Sequence, residues 1–281
     1  MSDENRWSIS ELQARYQLEP QLADVFVEGT FDREVLSRAF GYAAQPHVFY
    51  EIDVVDVSAN TLAKHGLTSG NKQRVIALSR ELNTVPAESQ VLCLADRDLD
   101  HWFGPLEESK RLRWTLYCSI EGHYLTTEVI RDILVTTGRA RIKKLETFVE
   151  SMCGVLKCLY CLRLADREIG LAMKWVALKK YLTRNGDSII FDTERYITAL
   201  LNANTKTVNK DDFTNSYALW TQKLDCDTRN ASRGHDYCDL IAWAMTEFGG
   251  LKEFGTTIAV TRLFVLLSSS IKTIQQELTP I

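Results

Sequence analysis

The 281-residue chain lacks any apolar run long enough to cross a bilayer. Its best stretch, residues 258 to 267, is broken by Thr261 and Arg262. The opening residues (Met1-Ser2-Asp3-Glu4-Asn5) are polar and acidic, without the positive start and apolar segment of a secretion signal. Seven cysteines fall in no secreted-domain spacing, which predicts free thiols in a reducing cytoplasm. Neither sign of charge dominates: 33 Lys and Arg against 37 Asp and Glu leave a net charge of only −4. Nucleic-acid binding must therefore come from a local patch. There is no glycine-rich phosphate cradle, since Gly66-Leu67-Thr68-Ser69-Gly70-Asn71-Lys72 has the wrong spacing for a P-loop and no Lys-Ser/Thr pair follows. The chain thus carries no ATPase motif of its own, and it has no repeat or low-complexity tract.

What is present is a pair of apolar runs that each end in acids. Val25-Phe26-Val27 runs into Glu28-Gly29, and Val91-Leu92-Cys93-Leu94-Ala95 runs into Asp96-Arg97-Asp98. Open α/β sheets place ligands at the carboxyl ends of their strands. Clustered carboxylates repel one another unless a cation neutralises them, and they are the hard oxygen ligands that Mg²⁺ prefers. A side-chain-free Gly29 leaves room for a phosphate or metal to approach the backbone. Between and after these runs, apolar spacing predicts strands at 24–27, 47–57, 91–95 and 113–119, with helices at 32–40 and 71–82. That alternation argues for a mostly parallel α/β sheet with flanking helices. After residue 123 helical patterns dominate, at 126–137, 144–165, 192–202 and 258–278. The expected organisation is a lead-in (1–21), an α/β domain (22–125) and a mainly helical region (126–281).

The ordered pair Glu28-Gly29 and Asp96-x-Asp98 resembles the TOPRIM domain of topoisomerases, primases and OLD-family nucleases. The resemblance implies a TOPRIM-like fold that holds Mg²⁺ (or Mn²⁺) on Glu28, Asp96 and Asp98, with Asp100 as a further ligand, and that hydrolyses phosphodiester bonds. Asp32 fits the OLD-like Val-Glu-Gly-x-x-Asp pattern, or else it caps the helix that follows. Ser119-Ile120-Glu121-Gly122-His123-Tyr124-Leu125 and Gly234-His235-Asp236 are similar to segments of a small stand-alone OLD-like branch, the AriB-type effectors of PARIS phage defence. That branch implies a ribonuclease acting on tRNA beside a separate ABC-type ATPase of the AriA type, as a homodimer when active. Other OLD-like enzymes imply DNA as the substrate, and a non-catalytic scaffold is the reading from another class. Glu121 is the candidate for a further ligand or general base.

The remaining motifs each admit two readings. Lys72 and Arg74, at the start of the second helix, either contact a scissile phosphate or are exposed cations on an amphipathic face. Arg139, Arg141, Lys143 and Lys144 form the densest basic stretch, which tracks a nucleic-acid backbone or simply faces water. His123 shuttles a proton or packs. His235 and Asp236 form a proton-transfer pair or stabilise a turn. Cys158-x-x-Cys161, with Cys153 nearby, has zinc-like spacing, but the run reads as a helix with buried thiols.

Overall fold

The structure is a computed structural model, and it describes residues 6–41 and 47–278. The first five residues of the lead-in therefore lie outside the described residues. The chain divides into two compact units, Met1–Ile120 with Phe264–Ile281, and Glu121–Leu263.

The first unit contains strands β1 (Trp7–Ser8), β2 (Asp24–Val27), β3 (Val48–Glu51), β4 (Val55–Asp56), β5 (Leu92–Ala95) and β6 (Leu112–Trp114). Its helices are α1 (Ile9–Leu18), α2 (Thr30–Phe40), α3 (Ala59–Lys64) and α4 (Asn71–Glu81). Four strands form a wholly parallel sheet in the order β3-β2-β5-β6. All four residues of β2 are buried, as expected for a central strand covered on both faces. Alternation sends Phe26, Cys93 and Ala95 into one core with Tyr16 of α1 and Val75 and Leu78 of α4. Val25 and Val27 face the other way and are equally buried.

Several expectations shift at the edges. The strand expected over 47–57 is two strands, because a 3-10 turn at Ile52–Val54 redirects the chain and β4 pairs with β1 in a small separate sheet. The strand expected over 113–119 ends at Trp114, after which Thr115 and Cys118 fold back to hydrogen-bond around the end of β5. Residues 58–70, for which no element is expected, contain α3, whose start Ser58 caps by accepting from the Thr61 N–H. The helix expected over 258–278 is α10 (Thr257–Leu267) followed by 3-10 turns, with a bend of 84° before Lys272. From Phe264 onward the chain joins the sheet unit rather than the helical one. The Phe264 ring lies against Phe31, Arg38 donates to the Leu266 carbonyl, and Glu277 accepts from the Leu116 N–H.

The second unit holds α5 (Thr127–Ile130), α6 (Leu145–Ile169), α7 (Thr193–Ala203), α8 (Lys210–Lys223), α9 (Gly234–Glu247) and the first turns of α10. The helix expected over 126–137 is α5 continued by a π-helix, Arg131–Thr137. An antiparallel hairpin of β7 (Leu182–Asn185) and β8 (Ser188–Phe191) interrupts the helices. The Asn185-Gly186 pair at its turn, with Gly186 at φ 60°, is the sequence signal that marks it. Among the described residues, no single helix is long and apolar enough to cross a membrane.

Phe264 is fully buried, so Phe264→Ala is expected to cost the first unit about 3 to 5 kcal/mol. Urea unfolding followed by a probe in that unit checks this, and a loss below about 1 kcal/mol would show that the C-terminal segment does not belong to its core.

Candidate active site

Residues 28 and 96 follow two neighbouring parallel strands, with Val25 paired to Leu92 and Phe26 to Cys93. In that register both strands deliver their acids to one sheet edge. The contact is direct: the Asp96 backbone N–H donates to Glu28 Oε1 at 2.9 Å. The start of α4 is fastened to the same place, because the Asn71 side-chain amide donates to the Glu28 carbonyl at 2.8 Å.

Beyond β5 the chain turns sharply. Asp98 has φ 45°, a left-handed conformation that aspartate tolerates better than most residues. It is held there by its N–H, which donates to the Cys118 carbonyl at 2.9 Å. The next residue's neighbour, Asp100, opens a 3-10 turn. Lys72, one residue into α4, reaches between these acids: its Nζ lies 3.0 Å from Asp98 Oδ2 and 2.6 Å from Asp100 Oδ2. The Lys72 side chain is only 13% exposed, and its ammonium sits 5.5 Å from the centre of the Trp114 ring. Burial alone would lower the Lys72 pKa, but the Asp98 and Asp100 carboxylates outweigh it and hold the group above the ordinary lysine value.

Glu28 feels the same cluster. Burial, then the negative charges of Asp98 and Asp100, push its carboxyl up to about 7, against the Asp96 hydrogen bond and the Lys72 charge. Gly29 is extended, a conformation any residue adopts, and a Cβ there would meet nothing within 4 Å. Among the described residues nothing requires a glycine at this position, and the space beside the backbone is open. Asp32 accepts from the Gly29 N–H at 3.2 Å, so it closes the first turn of α2 from the third helical position.

The donor set fits a hard divalent cation in its chemistry: carboxylate oxygens only, electrostatically coupled to one another. Among the described residues, however, no three His, Cys, Asp or Glu side chains stand grouped as they do around a bound ion. The Lys72 ammonium now supplies the positive charge there. Arg97, between the two aspartates, escaped the sequence reading; its Nε is buried without a hydrogen-bond partner.

Arg74 is engaged inside the unit, with its guanidinium on Asp53, Asn71 and the carbonyls of Ile52 and Val55. Neither it nor Lys72 is presented as a free surface cation.

Glu121 belongs to the second unit and is buried in a 3-10 turn, Ile120–Tyr124. Its carboxylate lies against Gly234 at the start of α9, where a Cβ would come within 2.1 Å of Glu121 Cδ. A helix N-terminus favours a carboxylate, and only glycine allows this approach. The two segments singled out in the sequence, 119–125 and 234–236, therefore meet. His123 is buried. Asp236 is held by two hydrogen bonds from Arg163, at 2.8 and 2.7 Å, while His235 is exposed. Asp236 thus forms an ion pair with Arg163. Arg163 in turn lies 4.0 Å from the Trp175 ring centre.

Arg139, Arg141, Lys143 and Lys144 are all exposed, with buried Ala140 and Ile142 between them. Their backbone is fixed: Arg141 donates to the Phe248 carbonyl, and Lys143 and Lys144 donate to the Asp187 carboxylate of the hairpin turn. Arg139 has φ 54°. Cys153, Cys158 and Cys161 are free thiols on the continuous α6 helix, and burial holds Cys161 up to about 11.

Compared with known proteins, the chain matches no family model and no curated sequence.

The raised Glu28 pKa sets a pH dependence. Its stabilising contribution is fully present below the unfolded value of 4.5 and is lost as pH rises through about 7. The difference in unfolding free energy between the wild type and Glu28→Gln is expected to fall by about 3 kcal/mol over that window. Parallel curves in denaturant unfolding from acid to neutral pH would sink this assignment. Separately, Gly234→Ala is expected to destabilise the second unit by about 1 to 3 kcal/mol, since a buried carboxylate must move. A thermal melt indistinguishable from the wild type would contradict the packing of Glu121 on α9.

Proposed function

We propose that the chain is a Mg²⁺- or Mn²⁺-dependent TOPRIM-type nuclease that hydrolyses phosphodiester bonds in RNA. The observation that carries this reading is the meeting of Glu28 with the Asp96–Asp100 segment at the carboxyl edge of adjacent parallel strands. Glu28, Asp96, Asp98 and Asp100 are the residues that would hold the ion. When bound, it supplies phosphoryl polarisation and an activated water.

The chain's own residues prepare that chemistry. The Asp96 N–H orients the Glu28 carboxyl through Oε1. Open space beside Gly29 leaves a route for a phosphate to the backbone. The exposed, backbone-fixed cations Arg139, Arg141, Lys143 and Lys144 suit a polyanion.

Support for tRNA as the substrate, an ABC-type ATPase partner, a cytoplasmic location and a role in phage defence comes from the resemblance of segments 119–125 and 234–236 to the PARIS effector branch. The close packing of Glu121 on Gly234 supports treating those segments as one unit. One observation favours a second reading, a non-catalytic scaffold: Lys72 neutralises the acids from within the chain.

Expression of the wild type and Glu28→Ala in cells, with and without the ATPase, followed by sequencing of RNA ends, separates these readings. New tRNA ends are expected from the wild type, and the substitution is expected to reduce them at least ~100-fold while the protein stays folded. Undiminished cleavage by Glu28→Ala rejects the site. DNA breaks without RNA ends move the substrate to DNA, and no cleavage of either polymer favours the scaffold.

A further inference from the structure

Lys72 is an unusual lysine for its place in the fold. The first turn of a surface helix normally lets a lysine extend into water, yet this one is 13% exposed and bridges two carboxylates. Its backbone cannot drift, because the preceding residue, Asn71, is bonded to the Glu28 carbonyl. Its four-carbon stem, by contrast, can swing without disturbing the helix. The oxygens it holds, Asp98 Oδ2 and Asp100 Oδ2, are among those a divalent ion would need. With Nζ only 2.6 Å from Asp100 Oδ2, an ion at the roughly 2.1 Å distance Mg²⁺ requires would share an oxygen with a like charge. An ion on that oxygen would meet the repulsion of the ammonium, so the two cations compete for it.

We propose that Lys72 is an intramolecular counter-ion that keeps the acidic cluster together in the metal-free protein and that a divalent ion must displace in order to bind. This role rests on the metal-site reading above. It gives the site a loading threshold. The first unit folds with its acids neutralised, and metal binds only at concentrations that overcome the resident charge. The Trp114 ring, 5.5 Å from Nζ, steadies the ammonium in the closed arrangement.

Calorimetric titration of Mn²⁺ into the wild type, Lys72→Met and Lys72→Arg tests this directly. Removing the competing charge is expected to tighten Mn²⁺ binding at least ~10-fold in Lys72→Met, while Lys72→Arg stays close to the wild type. Equal or weaker binding by folded Lys72→Met overturns the proposal while leaving the metal site intact. No binding by any of the three folded proteins removes the metal-site reading itself, and this role with it. A measurement on the wild type alone covers the case in which Lys72→Met does not fold. Acetylation of Lys72 by acetic anhydride, followed by mass spectrometry, is expected to accelerate at least ~10-fold when Mn²⁺ saturates the protein, because the released amine becomes accessible and loses its stabilising carboxylates. An unchanged acetylation rate in the metal-saturated protein overturns the proposal.

Discussion

Negative charge gathered at the end of two parallel strands is the constraint around which the first unit is arranged. Glu28 and Asp96 are adjacent because β2 and β5 are adjacent, and the N–H of one bonds the carboxyl of the other. Such a cluster is costly without a compensating charge. The compensation enters from α4, whose first residue is tied to the Glu28 carbonyl and whose second places an ammonium between Asp98 and Asp100. Asp98 takes a left-handed conformation to meet it, held by the loop that follows β6. Sheet register, helix position and loop course are thus coupled through a few polar contacts at one edge.

The second unit solves a different problem, that of burying polar groups among helices. Glu121 is accommodated because Gly234 lacks a Cβ, and Asp236 because Arg163 meets both of its oxygens. Removing one partner from such a buried pair leaves a charge without compensation, so these groups constrain the packing more than they add to stability. On the outside, the hairpin turn at Asp187 accepts from two successive backbone N–H groups of the basic strip. The strip's cations are therefore carried on a backbone that is hydrogen-bonded in place.

Much of this was legible in the residues. The apolar run Val25–Val27 in β2 and the acids after β2 and β5 placed those acids at the carboxyl edge of a parallel sheet, and the strand pairing puts them there. Period and composition were enough because a central parallel strand is apolar on both faces. Short elements were harder: α3 has six residues and β4 has two, too few for any period to register. The π-helix at Arg131–Thr137 has the same local sequence pattern as an α-helix. Phe264 to Leu278 read as part of a helical half, and its allegiance to the sheet unit depends on Phe31, Arg38 and Leu116, all far away in sequence.

Sequence by itself determined the chemistry available: which acids end which strands, where helices begin, and which segments carry cations. It did so because hydrophobic periodicity and residue type are local properties of the chain. Only tertiary structure decided what each charged group faces. Lys72 turns inward to two aspartates, Arg74 is consumed by carbonyls and Asp53, and Asp236 is paired to an arginine 73 positions away. The physical reason is that electrostatic partners are chosen by distance and burial in the folded chain, and neither quantity is written in the order of the residues.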